Sequence, residues 1–226
     1  MIRYRFDFDA GDGIEFDLEE DADTSVEAGG GEPPEWMLLE QGRCKRCTVA
    51  EGSRRTCPAA LAFQPVLEAF GARISFEKVR LTVEVHGVTL QGELPTQRAV
   101  RSLAGLRLAL SACPVMRRLK PMAHFHLPFG EKEHTAFRFL GTHLIGQYLR
   151  GQQGLDPDWA LDELRALTAD LHMVNQALAG RIRFAAEKDA AVNSVVMLDT
   201  FATTVELNLE DELEALKPLF EAYLEG

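Results

Sequence analysis

A chain of 226 residues, 46% hydrophobic and 26% charged, has the apolar material for one large core or two small ones and lacks the composition of a disordered chain. No stretch approaches the roughly 20 apolar residues of a membrane span, and residues 1–5 alternate like a strand rather than opening an apolar leader, which points to a cytoplasmic protein with no membrane attachment. The net charge of −11 is concentrated: residues 1–35 hold twelve acids against two bases and the remainder is close to neutral, so no cationic face is offered for general nucleic-acid binding.

Residues 4–9 and 14–19 alternate apolar with acidic side chains, and Gly11-Asp12-Gly13 between them supplies the positive-φ positions of a tight turn. The pattern predicts an acidic hairpin with Tyr4, Phe6, Phe8, Ile14, Phe16 and Leu18 against a helical layer and the carboxylates in water. Residues 28–34 read as a flexible joint. A polar loop over residues 40–57 leads to Pro58, which suits the first turn of a helix whose stripe of Leu61, Val66, Leu67 and Phe70 stops at Gly71, with Pro65 a candidate kink. Residues 79–85 and 88–94 about Gly87 predict a second hairpin, and Ile74-Ser75-Phe76 is also strand-like.

From Pro95 onward the period is helical. Thr96 is placed to cap a helix running through Leu103, Leu106 and Leu110 toward Cys113-Pro114. Residues 131–150 carry Phe137, Leu140, Leu144 and Tyr148 at helical spacing. Leu164, Leu167, Leu171, Val174, Leu178 and Ile182 form the strongest stripe, capped by Asp156 or Asp158. Two further helices are read at residues 190–204 and 210–224. The sum is an α+β fold: a small antiparallel sheet of two hairpins with the cysteine-rich loop 40–57 in residues 1–94, and a predominantly helical region in residues 95–226 that shares its core.

Chemistry concentrates at the four cysteines. Cys44 and Cys47 have the spacing by which one tight turn delivers two thiolates to one metal; Cys57 lies ten residues beyond Cys47, and Cys113 lies 56 residues beyond Cys57, before a proline. Three local ligands and one remote ligand let a structural ion staple a loop to a distant helix. Arg43, Lys45, Arg46, Arg54 and Arg55 surround the loop cysteines, and Arg117, Arg118 and Lys120 follow Cys113; such cations offset a four-thiolate centre and lower thiol pKa values. Inert core thiols are the plain alternative, although Cys44 and Cys47 lie in a polar loop without an apolar stripe. Thiol redox chemistry is a third reading, and disulfides are disfavoured in the cytosol. The metal expected is zinc, with a 4Fe-4S cluster as the alternative because Cys57 and Cys113 each precede a proline, as some cluster ligands do.

His124 and His126 flank Phe125 between Pro121 and Pro128. In an extended segment both imidazoles face one way as a second metal or anion site; the simpler reading is two locally hydrogen-bonded histidines. Glu131-x2-His134 resembles the carboxylate–histidine pair of di-iron bundles, but neither His143 nor His172 has an acid three residues before it. Residues 111–114, Ser-Ala-Cys-Pro, compete as a reactive-cysteine turn with His124 or His126 as base. P-loops, nucleophile elbows, dinucleotide fingerprints and HExxH are absent.

The Cys44-x2-Cys47…Cys57-Pro58 loop, Cys113-Pro114 and the segment Met122-Ala123-His124-Phe125-His126-Leu127-Pro128-Phe129 together resemble a bacterial protein family of unknown function, over most of the chain from about Trp36 onward. The resemblance implies an identity without a mechanism. The residues themselves lead to a zinc-stapled adaptor or binding protein with a protein partner, or alternatively to an iron–sulfur or zinc-dependent enzyme or redox sensor using the same cysteines. They assign no catalytic residue.

Overall fold

The structure is a computed structural model that describes residues 1–9, 11–26, 31–45, 47–207 and 209–225. Period two dictates its sheet. β1 (Ile2–Phe8) and β2 (Gly13–Leu18) form the acidic hairpin, with Phe6 opposite Ile14 and Tyr4 opposite Phe16. β3 (Lys78–Val85) and β4 (Val88–Pro95) form the second through His86 and Gly87, at φ of 50° and 77°, the left-handed pair that a two-residue hairpin turn requires. β1 also pairs with β3, giving the antiparallel order β2-β1-β3-β4.

One sheet face is buried through Ile2, Tyr4, Phe6, Phe8, Leu18, Leu81 and Val83, with Ile14 and Phe16 half-buried at its edge. The other carries Arg3 and Arg5 paired with Asp7, Glu15, Asp17 and Glu84 in water. These exposed pairs fix register more than they add stability.

α1 (Pro58–Phe70) runs unbroken through Pro65 and lays Phe70 edge-on against Phe6, ring centroids 4.8 Å apart. α2 (Thr96–Ala109) lies beside α1 and against β3 and β4. The short α3 (Lys120–His124) and the long α4 (Lys132–Gln152) follow. α5 (Asp162–Ile182) and α6 (Ala190–Leu207) pack on each other and close over α1 and α2. α7 (Leu209–Leu216) and α8 (Glu221–Leu224) complete the chain. One apolar cluster runs from Ile2 to Leu209 through the sheet and these helices. Among the described residues no helix is long and apolar enough to cross a membrane.

Several local expectations change. Thr96 does not cap α2; its N–H and hydroxyl both donate to the Glu77 carbonyl, at 2.8 Å each, because the chain leaving β4 passes that oxygen first. Residues 74–76 are a turn, not a strand, held by Asp189, whose carboxylate accepts from the Ser75 N–H (2.8 Å) and hydroxyl (2.9 Å). Of the stripe read on α4 only Leu140 is buried, together with Ala136, Phe139, His143 and Gln147; Phe137, Leu144 and Tyr148 are exposed. Leu161 occupies the N-cap position of α5, and the Asp158 carboxylate, from the turn before it, accepts from the N–H groups of Asp162 (3.2 Å) and Glu163 (2.6 Å). Residues 28–30 of the joint read at 28–34 lie outside the described residues.

Candidate metal centre

Cys44 and Cys47 leave one bend, closed by the Cys47 N–H donating to the Cys44 carbonyl at 3.0 Å. Cys57 is the N-cap of α1, extended before Pro58; its N–H donates to the Met37 carbonyl at 2.8 Å and its own carbonyl accepts from Leu61 at 3.0 Å. Cys113 sits in the turn after α2, with the N–H groups of Met116 and Val115 directed at its sulfur. All four are free cysteines. They line one cavity of about 20 Å³, which Pro114 and Val115 close from the Cys113 side and Asp170, Met173 and Val174 close from α5. One water-sized sphere needs roughly 10–15 Å³, so the space suits a single atom and no organic molecule. No histidine lines it.

Burial pushes the Cys44 thiol up to about 12, with the other three cysteines adding to the rise and Arg181 opposing it. Burial also raises Cys113, against the pull of the two N–H groups at its sulfur. The expected lowering by loop cations is thus reversed, and the reason is where those cations go. Arg43 pairs with Glu40 and donates to the Val49 carbonyl, Arg54 donates to the Ser25 carbonyl, and Arg55 pairs with Glu32. Arg117 and Arg118 face water. A thiol held neutral is a weak nucleophile, so the reactive-cysteine reading of residues 111–114 loses its support. Among the described residues no group of three or more His, Cys, Asp or Glu side chains forms a ready-made metal-holding set. The cysteines share a cavity as thiols, not yet a coordination sphere.

Two anchors hold these segments together, and cysteine spacing shows neither. Arg181, 6% exposed in the last turn of α5, donates to the carbonyls of Trp36 (2.8 Å), Leu38 (2.6 Å) and Leu39 (3.0 Å). The Leu39 N–H donates to the Arg55 carbonyl at 2.9 Å and Leu38 bridges to Thr56, which closes the base of the loop. Residues 23–25 form the second anchor. Asp23 accepts from the N–H of Ser25 (2.8 Å) and of Ala112 (3.2 Å), and the Thr24 N–H donates to the Leu110 carbonyl at 3.3 Å. Through Arg54 on Ser25 this segment ties the Cys113 turn to the cysteine loop.

The family described as a domain of unknown function, DUF6901, matches residues 2–221. The chain belongs to the DUF6901 family. The match takes in the first hairpin as well as the region from Trp36 onward, and its description carries no activity. No curated protein and no solved structure matches the chain.

Elsewhere in this DUF6901 chain the histidines part company. α3 forms where an extended segment was expected, so His124 and His126 diverge. His124 Nδ1 lies 3.1 Å from Glu20 Oε2, and its ring meets His86 edge-on at 5.6 Å. His126 turns inward: its Nε2 contacts the Tyr4 hydroxyl and lies 3.4 Å from Ser102 Oγ, while the Tyr4 and Ser102 oxygens are 2.7 Å apart. Glu131 and His134 are the capping box of α4, the Glu131 N–H donating to His134 Nδ1 at 3.1 Å. His143 lies 3.6 Å from Asp158, and His172 lies 2.7 Å from Asp199. None of these arrangements resembles a di-iron site.

Burial, reinforced by Arg138, pushes His126 down from 6.5 to about 3. Within that window the unfolded chain binds a proton that the folded chain refuses, so stability is intact above it and falls as the solution is acidified. His126→Gln removes this residue's share of the loss. Its stability should decline less steeply between pH 6.5 and 4 than that of the parent, by up to about 1.4 kcal/mol per pH unit in urea titrations. Parallel declines in the two proteins would contradict the assignment.

Proposed function

We propose that this protein is a metal-stapled binding or adaptor protein in which one zinc ion, held by Cys44, Cys47, Cys57 and Cys113, fastens the loop of residues 40–57 to the turn after α2. The observation that carries this reading is the shared cavity: four cysteines from three separate segments line a void of about 20 Å³. Neutral thiols have no attraction for one another. A divalent ion supplies it, drives off the protons, and draws the sulfurs to separations of about 3.8 Å, as Zn–S bonds of roughly 2.3 Å in a tetrahedron require. The Met116 and Val115 N–H groups at Cys113 then meet a thiolate, a better acceptor than a thiol. The void is tight for a four-iron cluster, which favours zinc. With all four positions supplied by the protein, no coordination site stays open for a substrate, which favours a structural role over catalysis.

Elemental analysis of freshly purified protein, combined with thiol titration, tests the reading. One equivalent of zinc per chain is expected, with thiols that resist modification until a chelator is added. Brown protein containing iron and acid-labile sulfide would replace zinc with a cluster and favour the enzyme or sensor. Metal-free protein with four freely reactive thiols would overturn the staple altogether.

A further inference from the structure

A second cavity, of about 340 Å³, lies apart from the cysteines among α2, α3, α4, α5 and α6. It falls within the range of ordinary small-molecule sites, roughly 300–1,000 Å³. Leu106, Met116, Met122, Phe139, Leu171 and Leu198 give it a mainly apolar wall. Leu127 and Lys132, both exposed, set its mouth at the surface. An apolar void of roughly 150 Å³ takes one benzene, so by proportion this one holds about 14 heavy atoms.

The wall also carries polar groups whose needs the protein leaves open. Half-buried Arg138 donates to the Met122 carbonyl, but its Nε is buried without a partner. No carboxylate pairs with this guanidinium among the described residues, and the Tyr4 phenol near it is kept neutral by burial. Ser102 and His126 line the cavity near it, and His126 stays neutral because burial pushes it down to about 3, so it brings no competing charge. Arg101 adds a second half-buried guanidinium to the wall. Asn175, 3% exposed, lines the cavity with its Oδ1 unpartnered.

A guanidinium without a counter-ion beside an apolar wall calls for a planar anion of single charge on an apolar body. A carboxylate fits the fork of donors on arginine, and Ser102, whose hydroxyl shares a hydrogen bond with Tyr4, lines the same cavity. We propose that this cavity binds an amphipathic monocarboxylate of medium chain length, a fatty acid or a hydroxylated relative, with its carboxylate on Arg138 and its chain along Leu106, Met122, Phe139 and Leu198. Asn175 is the acceptor for a hydroxyl on the chain. The site is separate from the cysteines and does not depend on what they hold.

Calorimetric titration of the full chain with sodium decanoate, decanol and decylamine, each below its aggregation limit, tests the proposal. Decanoate is expected to bind at one site per chain and at least about tenfold more tightly than decanol, a difference set by one charged hydrogen-bonded contact. Arg138→Met, checked for a parental circular dichroism spectrum, should bring decanoate to the level of decanol. Leu198→Trp, which fills the cavity without touching Arg138, should weaken both. If Arg138→Met does not fold, the decanoate preference of the parent and the effect of Leu198→Trp still decide. Equal affinity for decanoate and decanol, a preference for decylamine, or decanoate binding untouched by the filled cavity would each overturn it.

Discussion

Under the proposed zinc staple, Cys113→Ser is expected to release the metal and loosen the loop of residues 40–57. Cys44, Cys47 and Cys57 belong to one segment and its exit into α1, so among the four proposed ligands Cys113 is the one from the turn after α2. Three local ligands with an open fourth position hold zinc less tightly, by about 100-fold or more, and ligand affinity at such a site is folding free energy. A 100-fold loss corresponds to about 2.7 kcal/mol, and for a chain of this length to a fall in Tm of roughly 5–10 °C. Hydrogen exchange should show where the order is lost. Residues 43–49 should lose protection, while the base at residues 38–39 and 55–57, which Arg181 and backbone pairing hold without metal, should keep it. In excess chelator the variant and the parent should melt together. A variant that keeps its metal and the parental Tm would refute the staple.

Part of this architecture is legible in the sequence because side-chain period and backbone geometry are coupled. Tyr4, Phe6 and Phe8 could face the core only if Asp7 and Arg5 faced water, and the pairing of Phe6 with Ile14 follows from the glycines at the turn. The α5 stripe is legible for the same reason. The exposed side of α4 is not. Phe137, Leu144 and Tyr148 satisfy a helical spacing, yet the buried side runs through Gln147, whose amide donates to Glu163 and whose carbonyl accepts from the Asp158 N–H, and through His143, whose Nε2 comes only within 3.6 Å of Asp158 and is buried without a hydrogen-bond partner. Which face a helix buries is settled by its neighbours.

At the candidate site, spacing placed Cys44 and Cys47 in one bend, but charge counting gave the wrong sign for the acidity of Cys44. A guanidinium near in sequence stabilises a thiolate only if it points there, and those of Arg43, Arg54 and Arg55 point to carbonyls and carboxylates instead. The paired-histidine reading failed for a related reason, because a five-residue helix ending at His124 rotated it away from His126. Polar residues on apolar stripes are the signals that a closer reading can use. Tyr4 on the buried face of β1 needs a partner for its hydroxyl and finds Ser102 and His126. The stripe through Leu164, Leu167, Leu171, Val174, Leu178 and Ile182 has Arg181 buried beside its last member, a charged residue on the core side of the helix.

That arginine is the second place where one substitution should be severe. Arg181→Met keeps most of the volume and packing of the stem but removes the guanidinium donors from the carbonyls of Trp36, Leu38 and Leu39, leaving Leu38 with the Gln41 N–H at 3.2 Å. Hydrogen bonds from a charged donor contribute about 1.5–3 kcal/mol each, and they are not fully additive when they share one side chain. Stripping the charged donors from these carbonyls, and leaving those of Trp36 and Leu39 without them, should therefore cost about 3–5 kcal/mol of unfolding free energy. Arg181→Lys, with a single ammonium in place of a planar fork, should recover only part of it. Because the anchor acts on the base of the loop, the loss should persist in urea titrations run with excess chelator, where Cys113→Ser has no effect left to show. With zinc present the two sites should couple. Arg181 also favours the thiolate of Cys44, so Arg181→Met should weaken zinc binding as well, and the double variant should fall short of the sum of the singles. An Arg181→Met protein within about 1 kcal/mol of the parent in chelator would mean that the three carbonyls find water on their own and that the loop does not depend on this arginine for its place.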